Sequence, residues 1–154
     1  MKSKRQTRDR AGSRALVGYC GLYCGECINY KGEIADQARD LRKKLRETEF
    51  SRVAKGLSKF FKEFQDYEKC YAVLGAMVRL RCGRACKKGG GNPYCRVRLC
   101  CQKKGIEGCW ECAEFETCGK SDFLKPIHAD ACLKNMRAIR RKGMAGFLKS
   151  EKLW

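Results

Sequence analysis

Apolar positions recur at helical spacing in two stretches of the chain. Ala38, Leu41 and Leu45 fall three and four residues apart, and Phe50, Val53, Ala54, Leu57, Phe60, Phe61 and Phe64 continue as a broad stripe. Lys55, Lys59, Lys62 and Glu63 fall on the other side, so the pattern predicts amphipathic helices. Tyr67, Tyr71, Leu74 and Val78 extend the stripe beyond a bend, giving a helical insert over 33–80. Core packing is the expected role of these aromatic residues. The second stretch holds Leu133, Met136 and Ile139, then Phe147 and Leu148. It predicts helices over 129–150, with Gly143 separating two pieces.

Residues 82–118 break this pattern. They carry eight of the thirteen cysteines, and Gly89-Gly90-Gly91-Asn92-Pro93 marks a turn among them. Little regular structure is expected where ligand geometry sets the backbone. Residues 1–16 are polar, basic and without periodicity, which reads as a flexible arm. The expected architecture over 17–154 is one small domain, mainly α, with an irregular cysteine-rich lobe stabilised by metal.

Cysteine is about 8% of the 154 residues, a level that suggests a disulfide scaffold in a secreted chain. Three features point away from disulfides. The count is odd, the basic start MKSKRQTRDRAGSR has no apolar stretch after it, and the cysteines sit at short spacings. A cytoplasmic location is therefore expected, where thiols stay reduced and attract soft metals. No run approaches the roughly 20 apolar residues of a membrane span. The formal charge of +18 is uneven: residues 79–104 hold nine basic groups and no acid, whereas 105–122 hold five acids and Lys120. Two sites of four zinc-bound thiolates would leave about +14, still enough to favour an acidic partner.

Cys20, Cys24 and Cys27 form a first group, Cys82 and Cys86 a second, Cys95, Cys100 and Cys101 a third, and Cys109, Cys112 and Cys118 a fourth. A C-x-x-C pair lets two thiolates reach one ion within a single turn, at about 2.3 Å for zinc. Such pairs are a strong signal for metal and a weak one for which metal. C-x-x-x-C-x-x-C at Cys20 is also the spacing with which radical S-adenosylmethionine enzymes hold a 4Fe–4S cluster. A chain of 154 residues with long helical stripes is too short for their barrel. The bacterial ferredoxin run ends in Cys-Pro, and neither proline here follows a cysteine. An iron–sulfur site of another kind stays open.

The stretches YCGLYCGEC (19–27) and CGRACKKGGGNPYCRVRLCCQKKGIEGCWECAEFETC (82–118) resemble the small prokaryotic proteins of domain-of-unknown-function family 3795. The resemblance spans about residues 18–150. It implies a cytosolic zinc-binding domain with no established activity. By position the family's cysteines fall on Cys20, Cys24, Cys27, Cys82, Cys86, Cys95, Cys100, Cys109, Cys112 and Cys118. Cys82 and Cys86 stand one residue further apart than the family's commoner C-x-x-C. Cys70, Cys101 and Cys132 are extra to the pattern, and a free-thiol role is expected for them. One partition places Cys82, Cys86, Cys95 and Cys100 on one zinc ion. Cys109 and Cys112 then join two of Cys20, Cys24 and Cys27 on a second.

No catalytic constellation is evident. His128 is the only histidine and reads as a surface or packing residue. The acids Glu107, Glu111, Glu114 and Glu116 read as charges balancing the basic segment, and Trp110 as a shield beside Cys109. The glycine run lacks the Gly-Lys of a phosphate loop. Arg84, Lys87, Lys88, Arg96 and Arg98, with Tyr94 among them, form a candidate phosphate-gripping face for a nucleic acid. The sequence thus supports a zinc-holding binding or scaffold protein with a basic face. An iron–sulfur redox or accessory protein holding a 4Fe–4S cluster is one alternative, and a nucleic-acid-binding zinc protein is another.

Overall fold

A computed structural model describes residues 13–154, so most of the expected basic arm lies outside the described residues. The protein is mainly helical. Among the described residues there is no strand beyond an isolated antiparallel bridge between Val17 and Tyr23. None of their helices is long and apolar enough to cross a membrane. The chain divides into two compact units: Lys31–Cys82, and the chain through Tyr30 together with Gly83–Trp154.

The first unit contains α1 (Glu33–Glu47), α2 (Phe50–Leu57) and α3 (Tyr67–Arg79). Helices α1 and α3 pack on each other, and the contact is made through small residues. Ala35 and Ala38 on α1 and Gly75 on α3 are buried, and Ala54 is the buried residue of α2. The Arg42 guanidinium lies 4.4 Å from the centroid of the Tyr71 ring, an attraction between cation and ring face. Arg81 closes the unit by donating to the Gly32 carbonyl at 3.1 Å and to Asp36 at 2.6 Å.

The aromatic stripe only partly reaches a core. Phe50 stacks near Phe64 and Tyr67, with ring centroids 6.2 and 5.8 Å away. Phe60 and Phe61, expected in the core, are 80% and 55% exposed. The cause is the end of α2 at Leu57, which takes both residues out of helical register. Leu41 and Val53 are exposed as well.

The second unit contains α4 (Arg96–Lys104) and α5 (Ala131–Lys149), joined by short 3-10 turns and one turn of α-helix at Lys125–His128. Helix α4 lies inside the segment expected to be irregular. Val97 and Cys101, four residues apart, are both buried on one side of it. The sequence reading, which took Cys101 as a spare thiol, missed the apolar face that Cys101 completes. Helix α5 lays Cys132, Met136 and Ile139 against Leu16, Val17, Tyr23, Trp110, Phe115 and Phe147. Gly143 has φ 69°, ψ 168° and breaks α5 at the expected position. Residues 14–16, assigned to the arm, are folded: they form a 3-10 turn, and Leu16 is core.

Asn135 is buried on α5 and serves as a clasp. Its amide donates to the Gly21 carbonyl at 3.0 Å and to the Leu153 carbonyl at 2.7 Å, and its oxygen accepts from the Leu153 N–H at 3.1 Å. Gly21 has φ 83°, and a Cβ there would stand 2.9 Å from Met136 Cγ. Gly21→Ala is expected to cost about 1–3 kcal/mol, the sum of a left-handed backbone penalty and the displacement of Met136. Equilibrium denaturation checks this, and an unchanged midpoint would mean the turn relaxes freely.

Candidate metal centre

The second unit gathers its cysteines into two groups. The first begins at the Val17–Tyr23 bridge, where the Gly18 N–H donates to the Leu22 carbonyl at 2.8 Å and folds Cys20 and Cys24 into a tight loop. A Cβ on Gly18 would lie 3.6 Å from Cys86 Sγ, so this loop sits directly against the turn at Cys86–Lys88. The Cys86 N–H donates to Cys24 Sγ at 3.4 Å. Interaction with the Cys132 thiol at the start of α5, then burial, holds the Cys20 thiol well above its ordinary range. The same interaction lowers the Cys132 thiol. Burial pushes Cys24 up to about 11 and also raises Cys86. Cys27 closes the turn that begins at Cys24, its N–H donating to the Cys24 carbonyl at 3.0 Å, and Cys95 precedes the first residue of α4.

The turn beneath the first group is built around Arg98. Gly90 donates to the Ala85 carbonyl at 3.0 Å, and a Cβ on Gly90 would fall 1.7 Å from the Arg84 carbonyl oxygen. Only glycine permits that approach. The buried Arg98 guanidinium donates to the carbonyls of Cys86 at 3.0 Å, Gly90 at 2.9 Å and Asn92. This corrects the expected phosphate-gripping role of Arg98, because its donors are spent on carbonyls that would otherwise be left bare in the interior. Lys87 is also engaged, pairing with Glu107 at 3.2 Å and lying 5.1 Å from the Trp110 ring centroid. Arg84, Lys88, Arg96 and Tyr94 are exposed. Glu107 binds Arg14 as well, and the Arg14 bond above all lowers its carboxyl to about 2.

The second group lines a cavity of about 30 Å3. Cys100 and Cys101 reach it from α4, Cys109 and Cys112 from either end of the turn at Trp110, and Cys118 from the residue before the Gly119–Leu124 turn. Cys101 Sγ and Cys109 Sγ are 3.6 Å apart. A proton shared between them lowers Cys109 to about 7, helped by the charges of Lys104 and Lys120, and raises Cys101. Lys104 donates to Cys112 Sγ at 3.2 Å and to Glu114 at 3.3 Å.

Cys86 lies against Cys24, and Cys109 and Cys112 line one cavity with Cys100, while the Cys109 N–H donates to the Tyr19 carbonyl of the first loop at 2.9 Å. Cys82 ends the helical unit, and Cys70 is exposed on α3. Among the described residues, no three His, Cys, Asp or Glu side chains are gathered closely enough to hold a metal ion. The donors nevertheless suit zinc in kind and spacing. Four sulfurs about 2.3 Å from one ion lie about 3.8 Å apart, close to the Cys101–Cys109 separation.

Cys101 and Cys132, read as spare thiols, are both buried, and Cys101 Sγ lies 3.6 Å from Cys109 Sγ. The signal was their register, Cys101 four residues after Val97 and Cys132 four before Met136. His128 stacks edge-on against Trp154 at 4.8 Å, which matches its reading as a packing residue.

Comparison with known proteins adds the family and nothing finer. No curated protein and no solved structure gives a significant match. The family model described as protein of unknown function (DUF3795) matches residues 16–123, from the buried Leu16 past all three cysteines of the closing group, and the chain belongs to that family.

Proposed function

We propose that the protein is a cytoplasmic zinc-holding module with a binding or scaffold role and two structural ions. The observation that carries this reading is the small cavity onto which five cysteines converge, with two sulfurs at 3.6 Å. Cys100, Cys109, Cys112 and Cys118 supply donors for one ion, and Cys20, Cys24, Cys27, Cys86 and Cys95 for the other. Bound zinc supplies a closed tetrahedral cross-link, with no open position for chemistry. The chain's own contribution is to present soft donors from several turns, with Lys104 placed to offset thiolate charge.

The scaffold reading is favoured over nucleic-acid binding because Lys87 and Arg98 are committed internally. Arg84, Lys88 and Arg96 are the exposed cations of that set, and they suit an acidic protein surface. Anaerobically purified protein is expected to be colourless and to carry about two zinc ions per chain. A brown protein containing iron and sulfide would overturn the reading in favour of a 4Fe–4S protein. Salt-dependent binding of RNA or DNA would restore the nucleic-acid reading.

A further inference from the structure

We propose that the turn at 58–62 is a surface anchor that seats Phe60 and Phe61 in an anionic phospholipid bilayer. The inference concerns the first unit alone and stands apart from the zinc reading.

Phe60 and Phe61 are 80% and 55% exposed, and a contiguous apolar patch of that kind marks an interaction site. The backbone fixes where the rings stand. The N–H groups of both residues donate to the Leu57 carbonyl at 2.9 Å, and the Phe64 N–H donates to the Phe61 carbonyl at 3.1 Å. Phe61 leans edge-on against Phe64, with ring centroids 6.3 Å apart, whereas Phe60 stands out into solvent. The apolar surface continues onto α2, where Val53 is exposed. A Cβ added at Gly56 would meet no atom within 4 Å, so no described residue covers the helix there.

Charge selects the occupant. Residues 51–62 carry Arg52, Lys55, Lys59 and Lys62 and no acid. Arg52 pairs with Glu49 at 3.8 Å, but Lys55, Lys59 and Lys62 make no ion pair among the described residues. Glu63 follows directly, and the next acid, Asp66, is already paired with Lys69 at 2.7 Å. Lys59 and Lys62 bracket the two rings, so their long side chains can meet headgroup phosphates while the rings enter the acyl boundary. A fluid bilayer accepts phenyl and aliphatic side chains alike. A single-stranded nucleic acid needs ring faces on which bases stack, and Val53 offers none. An acidic protein would have to supply a pocket shaped for Phe60. The binding is to the surface, because none of the described helices is long and apolar enough to cross.

The test is flotation of the full-length, anaerobically purified chain with vesicles of phosphatidylcholine containing about one quarter phosphatidylglycerol, against phosphatidylcholine alone. F60S/F61S leaves the net charge unchanged and is expected to weaken binding to the anionic vesicles at least about tenfold. K59Q/K62Q is expected to weaken it about tenfold, and added salt should act in the same direction. Equal binding of wild type and F60S/F61S would show adsorption by net charge alone and overturn the proposal. Wild-type chain that ignores the anionic vesicles, or binds neutral ones equally well, would overturn it too. Phe-dependent binding of a single-stranded oligonucleotide without vesicle binding would assign the patch to nucleic acid instead. If F60S/F61S loses its helical circular dichroism, F60S alone decides, because Phe60 is the more exposed ring.

Discussion

Chelating the metal from the purified chain is expected to unfold the unit formed by the chain through Tyr30 and Gly83–Trp154. Structural zinc contributes on the order of 10 kcal/mol or more to small domains that fold around it. A whole domain is stable by only about 5–15 kcal/mol. Loss of two such sites therefore exceeds what the remaining contacts supply. Those contacts are modest: ten buried residues form the main apolar cluster, and much of the backbone between them is short 3-10 turn. Both tryptophans, Trp110 and Trp154, belong to this unit, so selectively excited tryptophan emission reports on it alone. Adding a strong chelator should shift the emission to the red, and returning zinc under reducing conditions should reverse the shift. Unchanged emission after complete metal removal would show that the apolar cluster holds the unit without help.

Phe147→Ala is expected to cost about 3–5 kcal/mol, the largest effect of any single truncation in the core. Phe147 has no exposed surface and sits after the break at Gly143, where α5 folds its second piece back onto the cluster. Truncation removes the whole ring and leaves a cavity that the surrounding turns cannot fill. Phe147→Leu keeps most of the volume and is expected to cost less than about 1.5 kcal/mol. Denaturant titration of metal-loaded protein measures both. Equal losses for Ala and Leu would locate the effect in the backbone at Gly143 rather than in packing.

The helices were legible where the residues follow a simple apolar period. The Ala38-to-Val78 stripe announced α1 to α3, and Leu133, Met136 and Ile139 announced α5 together with its break at Gly143. Phe60 and Phe61 show the limit of that signal: periodicity continued past Leu57, but the helix did not. Helix α4 was hidden because cysteine serves both as ligand and as small apolar side chain. In Val97 and Cys101 the second role sets the local structure. The spacing of the cysteines along the chain was readable residue by residue, but their neighbours in space were not. Grouping depends on which turn meets which, and the Gly18 loop meeting the Cys86 turn is a contact across more than sixty positions. Arg98 was misread for the same reason: a cation among cations looks like surface until three carbonyls are seen to converge on it.

The Asn135 clasp has a consequence for biosynthesis. Its bond to Gly21 joins residues 114 positions apart in the chain. A nascent chain therefore exposes the Cys20–Cys27 loop to solvent long before Asn135 emerges from the ribosome to fasten it, and Leu153 follows later still. During that interval the first thiols to be made are open to any passing ion or oxidant. Vectorial synthesis thus makes the order of events part of correct maturation, with the loop that is translated first being the last to be locked.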